Sequence, residues 1–368
     1  MPDGLDITLV DLRRVREHAR AVGLRHVNDA APGIQRRRCG SGFVYRLPDG
    51  ARVADGATLT RIRGLVIPPA YTRVWICVHE DGHLQATGYD VAGRKQYRYH
   101  PRWQAIRAAT KYGHLIDFAS VLPRLRRCID RDLQANGLVR ERVLATAARV
   151  LDATLIRVGN TRYTAQNGTY GLTTLQNRHV KIDRGHITFQ FVGKSHQRRR
   201  LDVDDPQLAR ILHRCRELPG HRLFEYLDDA GQVQVIDSDD VNDYLHAATG
   251  RTLTAKDFRT WGGTVHAAVT LAAMDPPSSP TAAERNIVAA IKSVAARLGN
   301  RPATSRKYYV HPAVLGAYRD GTLYDHIPAV NPGRPAPRGG LSPEEKAVLA
   351  LLRARAAPSR GQRRRLAA

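Results

Sequence analysis

The spacing of apolar residues changes once along the chain, near residue 104, and divides it into two kinds of structure. Before that point the apolar runs are short and rich in β-branched and aromatic residues. FVYRLPDGARV, residues 43 to 53, carries Asp49-Gly50 between two such runs, and Asp81-Gly82 lies between Val74–Val78 and Leu84–Tyr89. Asp-Gly favours tight hairpins because both residues tolerate the positive φ that the turn requires. A helix over Leu9 to Val22 is expected to precede them. Residues 1–104 therefore read as a small domain built on a twisted antiparallel sheet.

From about Trp103 the spacing becomes helical. In RERVLATAARVLDATLIRVGN, Val143, Ala147, Val150, Leu151 and Leu155 recur at intervals of three and four, with Gly159 placed to cap the end. Ile187, Phe189 and Phe191 then alternate with polar residues, and a turn over Gly193 to Gln197 leads to Arg198–Val203. This is expected to be a three-stranded sheet inside a helical domain. Helices resume after Pro206, and Thr281 to Glu284 has the form of a capping box ahead of RNIVAAIKSVAARL, which closes at Gly299-Asn300. Beyond Pro328, NPGRPAPRGG reads as a linker over 328–341, and Ser342-Pro-Glu-Glu345 starts one short helix in a loosely attached basic tail. The fold class is α+β: an N-terminal sheet domain (1–104), a larger, mainly helical domain with a three-stranded sheet (105–327), and a basic extension (328–368).

Charge narrows the partner. The chain has 368 residues, 42% of them hydrophobic, enough to build cores, but its 58 Lys and Arg against 34 Asp and Glu leave a net charge of +24. A coding bias towards Arg and Ala does not account for so few compensating acids. An excess of this size is the footprint of a polyanionic partner, and nucleic acid is expected. Cys39, Cys77, Cys128 and Cys215 lie far apart with no CxxC pair, which argues against a disulfide framework and a structural zinc. The first residues have early acids and no apolar core of signal length, and no run approaches a membrane span. A cytoplasmic, nucleoid-associated protein is the expectation.

The candidate chemistry lies in SRKYYVHP, residues 305 to 312. A tyrosine phenol, with a pKa of about 10, is a poor nucleophile unless fixed cations stabilise the phenolate and the charge that develops on a phosphate under attack. Four segments offer such partners: Arg157 near a helix end, Lys194 at a hairpin tip in FVGKS, Arg259 in AKDFRTWGG, and Asn300 after a helix-ending glycine. Alone, each has an ordinary reading: a helix-end cation, a solvated turn lysine, an exposed helix arginine and a C-cap.

In order, TLIRVGN, YGLTTLQNRHV, FVGK, KDFRTWGG and GNRPATSRKYY resemble the catalytic domain of the type IB DNA topoisomerases, in particular the small, poxvirus-like branch found also in bacteria. The resemblance covers most of the chain. It implies catalytic roles for Arg157, Lys194, Arg259 (three residues after Lys256), Asn300 and Tyr309. The nucleophile follows a His or Asn by nine residues, which selects Tyr309 over Tyr308. Asn300 stands where many relatives carry histidine; an amide donates a hydrogen bond there but carries no charge. In the first domain, GYDVAGRKQYRYHPRW resembles the family's DNA-facing segment. It points to Gln96, Tyr97 and Tyr99 for groove and backbone contacts, with Arg94 and Lys95 suited to phosphates and Lys256 to DNA as well.

The resemblance implies relaxation of double-stranded DNA through a 3′-phosphotyrosine, by a monomer that clamps the duplex with its domain junction near Trp103 as hinge. No ATP, metal or other cofactor is expected, since the phosphotyrosine conserves the bond and the sequence has neither a P-loop nor a clustered carboxylate or His site. A tyrosine recombinase uses a similar residue set, but there the second arginine usually follows a histidine by three, where this chain has Lys256. A basic DNA-binding protein with a decayed site would share the charge but has no need of the intact residue set.

Overall fold

A computed structural model describes residues 15–17, 19–327 and 339–356, with backbone only for 105–113. Contacts divide the chain into two compact units, residues 1–112 and 113–368. The first is built on five antiparallel strands: β1 (Ile34–Cys39), β2 (Gly42–Arg46), β3 (Thr72–Ile76), β4 (Leu84–Tyr89) and β5 (Lys95–Tyr99), in the order β2-β1-β3-β4-β5. Helix α1 (Gly56–Gly64) lies between β2 and β3, started by the Asp55 carboxylate, which accepts from the Ala57 and Thr58 amides. Ile34, Val53, Ile62, Val74, Ile76 and Ala86 form the core on one side of the sheet.

The β3–β4 hairpin turns at Asp81-Gly82 as expected. The other Asp-Gly differs. The turn at Asp49-Gly50 is made, but beyond it the chain returns to β2 through a single bridge, Arg46 with Arg52. β2 pairs along its whole length with β1 instead, through the two-residue turn Gly40-Ser41, with Gly40 at φ +57°. That turn was hidden because Arg36, Arg37 and Arg38 break the apolar alternation. The expected Leu9–Val22 helix is helical at 15–17 and 19–21, and its first residues lie outside the described set.

The second unit is mainly helical. Its elements are α2 (Pro101–Asp132, within which the unit boundary falls), α3 (Arg140–Thr154), α4 (Thr161–Asn167), the sheet β6 (Val180–Asp183), β7 (His186–Gly193) and β8 (Gln197–Asp204), then α5 (Pro206–Cys215). After a short hairpin come α6 (Ser238–Thr249), α7 (Ala255–Ala272), α8 (Pro280–Leu298), α9 (Pro302–Tyr308), α10 (Pro312–Arg319), α11 (Leu323–His326) and α12 (Pro343–Ala356). The expected three-stranded sheet is present, in the order β6-β7-β8. The middle of α3, residues 143–148, is buried all round, and the helix packs against α5, α6, α7 and the sheets, which its run of small residues (Ala145, Ala147, Ala148) permits.

Three local expectations are corrected. α3 ends at Leu155, itself left-handed at φ 56°, and not at Gly159. α8 starts at Ser279, whose hydroxyl accepts from the Ala282 amide ahead of Pro280 at the first helical position, so Thr281 is not the cap. α12 is not loosely attached: Val348, Leu349, Leu351 and Leu352 are buried in the main core, and the Glu345 carboxylate accepts from both Arg126 and the Trp261 indole. Residues 328–338 of the expected linker and 357–368 of the tail lie outside the described residues. Among the described residues no helix is long and apolar enough to cross a membrane.

Candidate active site

The site forms where the end of α3, the end of α8 and the middle of α7 meet. Past the left-handed Leu155 the chain runs extended, and the Arg157 and Val158 carbonyls accept from the Leu172 and Thr173 amides, both at 2.8 Å. The two segments come so close that a Cβ on Gly171 would sit 2.7 Å from the Arg157 carbonyl. This pairing fixes the backbone of Arg157, whose guanidinium donates to the Gly299 carbonyl at 2.9 Å and to the Asn300 side-chain oxygen.

Arg259 lies in the second turn of α7 and is only 4% exposed. Its guanidinium donates to the Leu155 carbonyl, to the Leu298 carbonyl at 2.9 Å and to Asn300 Oδ1 at 3.5 Å. Burial comes first and the Arg157 charge second in pushing its pKa down. Both arginines thus converge on one amide oxygen, and Asn300 Nδ2 and Arg259 Nε are buried donors with no protein acceptor.

The tyrosine pair separates clearly. Tyr309 caps the C-terminus of α9, with its ring centre 5.2 Å from the Arg259 guanidinium carbon, whereas Tyr308 is 44% exposed and faces Lys307. The two glycines after Trp261 explain the close fit. A Cβ on Gly263 would fall 2.6 Å from the Tyr309 carbonyl, and one on Gly262 would strike Leu155 at 2.4 Å. Thr264 adds a tie, its hydroxyl accepting from the His311 amide at 3.1 Å.

A third cation enters the cluster that the sequence did not mark. Arg199 of β8 reaches the last turn of α8, and burial and the Arg157 charge, in that order, lower its pKa. Strand alternation carries the signal: Arg199, Leu201 and Val203 face the core, while Arg198 and Arg200 face out. No carboxylate among the described residues pairs with Arg157, Arg199 or Arg259.

Lys194 is not gathered into this cluster. It is exposed at the β7–β8 turn, where Ser195 and His196 have positive φ, with its ammonium 5.7 Å from the Tyr163 ring centre. Lys256 is exposed in the first turn of α7, one turn before Arg259.

In the first unit, β5 is the edge strand, and its alternation splits the expected DNA-facing set. Lys95, Tyr97 and Tyr99 share one face, where the two tyrosine rings stack at 6.0 Å and Tyr97 is 42% exposed. Gln96 pairs opposite Gly88 on the other face and donates to Asp90, so it does not join them. Arg94 also pairs with Asp90, and Lys95 with Asp29 at 2.6 Å.

Comparison with known proteins fits this geometry. A family model described as "Eukaryotic DNA topoisomerase I, catalytic core" matches residues 100–323, and one described as "Bacterial DNA topoisomerase IB, N-terminal domain" matches residues 42–90. The DNA topoisomerase 1B of Acanthamoeba polyphaga mimivirus is 32% identical over 295 residues, covering 78% of this chain and 88% of the relative. The DNA topoisomerase 1B of Vaccinia virus (strain Copenhagen) is 23% identical over 242 residues, 65% of this chain and 74% of the relative. A fold with an N-terminal antiparallel sheet and a helical catalytic unit, a tyrosine set on paired arginines, and these matches over most of its length lead to one conclusion: the chain belongs to the type IB DNA topoisomerases.

Proposed function

We propose that this protein relaxes supercoiled double-stranded DNA by cutting and resealing one strand through Tyr309. The observation that supports this most is the charge around that tyrosine. Three arginines crowd together, burial lowers the pKa of each and repulsion from neighbouring arginines adds to this at Arg199 and Arg259, and no described carboxylate compensates them. Such a cluster is satisfied by an anion brought from outside, and a phosphodiester supplies both the charge and two non-bridging oxygens.

The Tyr309 oxygen attacks phosphorus, and the bond from phosphorus to the 5′-oxygen breaks. A 3′-phosphotyrosine and a free 5′-hydroxyl result, the phenol proton passing to solvent and the Lys194 ammonium giving a proton to the leaving oxygen. Arg157 and Arg259 hold the non-bridging oxygens. Asn300 accepts both guanidinium groups on its oxygen, and its buried NH2, with no protein acceptor, is left as a further donor to the same phosphate. Lys194 takes part only if DNA draws the β7–β8 turn towards the cluster. The 5′-hydroxyl then attacks in reverse and reseals the strand, with no requirement for ATP or metal because the bond energy is conserved. Between the two steps the duplex relaxes by rotation about the intact strand. Lys95, Tyr97 and Tyr99 on β5 and Lys256 on α7 are proposed to contact DNA alongside.

End-labelled duplexes test the polarity. A label on the 5′ end of the cut strand should appear in the covalent protein adduct, while a 3′ label leaves with the 5′-hydroxyl fragment. A 3′ label retained in the adduct would contradict the reaction as written.

A further inference from the structure

We propose that Arg199 is a positioning residue for strand cleavage: from the neighbouring hairpin it holds the Gly299-Asn300 turn in place. The proposal rests on the reading of Tyr309 and Asn300 above and extends it to a residue outside the motifs that carry the family resemblance.

Arg199 projects from β8, opposite Phe191 of β7. Its stem packs at the head of that hairpin, where a Cβ on Gly193 would lie 3.2 Å from Arg199 Cγ. The guanidinium spans to α8 and donates to the Ala296 carbonyl at 3.0 Å and the Arg297 carbonyl at 2.6 Å. These groups belong to the last turn of the helix, where carbonyls lose their intrahelical partners. The head group also lies against Gly299, so close that a Cβ there would meet Arg199 Nη1 at 2.8 Å. Gly299 is left-handed at φ +60°, its carbonyl accepts from Arg157, and the next residue is Asn300. One fork of donors thus grips the turn that presents Asn300 and receives Arg157.

The charge argues that this fork is specific. Burial and the nearby Arg157 both disfavour a cation at this place, and no described acid offsets them. An apolar residue would fill the space without that cost. A lysine would keep the charge but lacks the planar pair of donors that reaches two successive carbonyls. What arginine adds is a fixed geometry for the end of α8.

The test is single-turnover cleavage of a labelled duplex by Arg199→Ala and Arg199→Lys, alone and combined with Asn300→Ala. DNA affinity is measured in parallel with the cleavage-blocked Tyr309→Phe background. Arg199→Ala should slow cleavage by about 10- to 100-fold, as expected for a misplaced catalytic group, and weaken DNA binding far less. Arg199→Lys should recover only part of the rate. In the Asn300→Ala background the further loss should be much smaller, because the group being positioned is gone. A wild-type rate in Arg199→Ala, or an equal loss with and without Asn300, would overturn the proposal. If the alanine variant does not fold, Arg199→Lys carries the same comparison through its stem and charge. Tyr309→Phe separates the two levels: cleavage by that variant sinks the underlying mechanism, whereas its inactivity beside a wild-type rate in Arg199→Ala sinks only this inference.

Discussion

Tyr309 differs from Tyr308 in its surroundings. Strict helical geometry would place neighbours about 100° apart, and here that rotation sends one ring towards Arg259 and leaves the other in solvent beside Lys307. The spacing of nine residues from Asn300 already selected Tyr309 in the sequence. Arg157, Arg259 and Asn300 were likewise legible, because each sits in a motif of recognisable order. Arg199 was hidden within the run Arg198-Arg199-Arg200, which reads as plain basic charge until the strand period is applied. At Arg259 the geometry predicts intolerance even of a conservative change. Its guanidinium serves Leu155, Leu298 and Asn300 together, and one ammonium does not reach all three. Arg259→Lys should lower the cleavage rate by about 10²- to 10³-fold, read by single-turnover kinetics, with DNA binding retained. Near-normal cleavage in this variant would show that charge alone suffices.

At the level of elements, the helical and strand periods marked the β3–β4 hairpin, the β6–β7–β8 sheet and α8, because each has an uninterrupted apolar rhythm. α12 was underestimated for a physical reason. It follows a Pro- and Gly-rich stretch, and its attachment depends on Glu345 meeting Arg126 and Trp261, more than 80 residues away in sequence. Burial tends to raise the Glu345 pKa, but hydrogen bonding and attraction from Arg126 outweigh it, so the carboxyl titrates below the usual range. A depressed carboxylate adds stability above its unfolded pKa, about 4.3, and loses it as pH falls through the folded value. Glu345→Gln should therefore cost about 3 kcal/mol at neutral pH and flatten the loss of stability below pH ~4, as followed by thermal unfolding across pH. Removing residues from 339 onward should unfold the second unit, whereas removing 357–368 should leave its melting temperature unchanged. Equal melting of all these forms would place α12 outside the core after all.

For the molecule as a whole, the net charge of +24 pointed to nucleic acid before any element was assigned. The sequence placed a change of structure near residue 104 and a basic extension from 328, whereas the contact boundary lies between residues 112 and 113, inside the long helix α2. A continuous helical period gives no mark of where contacts change sides. The last twelve residues include Arg360, Arg363, Arg364 and Arg365. If they meet phosphates, deleting residues 357–368 should lower the slope of log affinity against log salt by up to about 3.6 while cleavage persists. An unchanged slope would assign these residues no part in binding. Closure of the two units on a duplex would lower the radius of gyration in small-angle scattering, and an unchanged profile would count against a clamp.

The central claim is that Tyr309 carries the reaction, and the most direct measurement is relaxation of supercoiled plasmid in EDTA without ATP. Wild type and Tyr309→Phe are compared side by side, and a denaturing gel is run for covalent protein–DNA adduct. The account predicts relaxation and adduct with the wild type and neither with the variant, although both bind DNA. Relaxation that survives in Tyr309→Phe, or tight binding by the wild type with no relaxation, would contradict it.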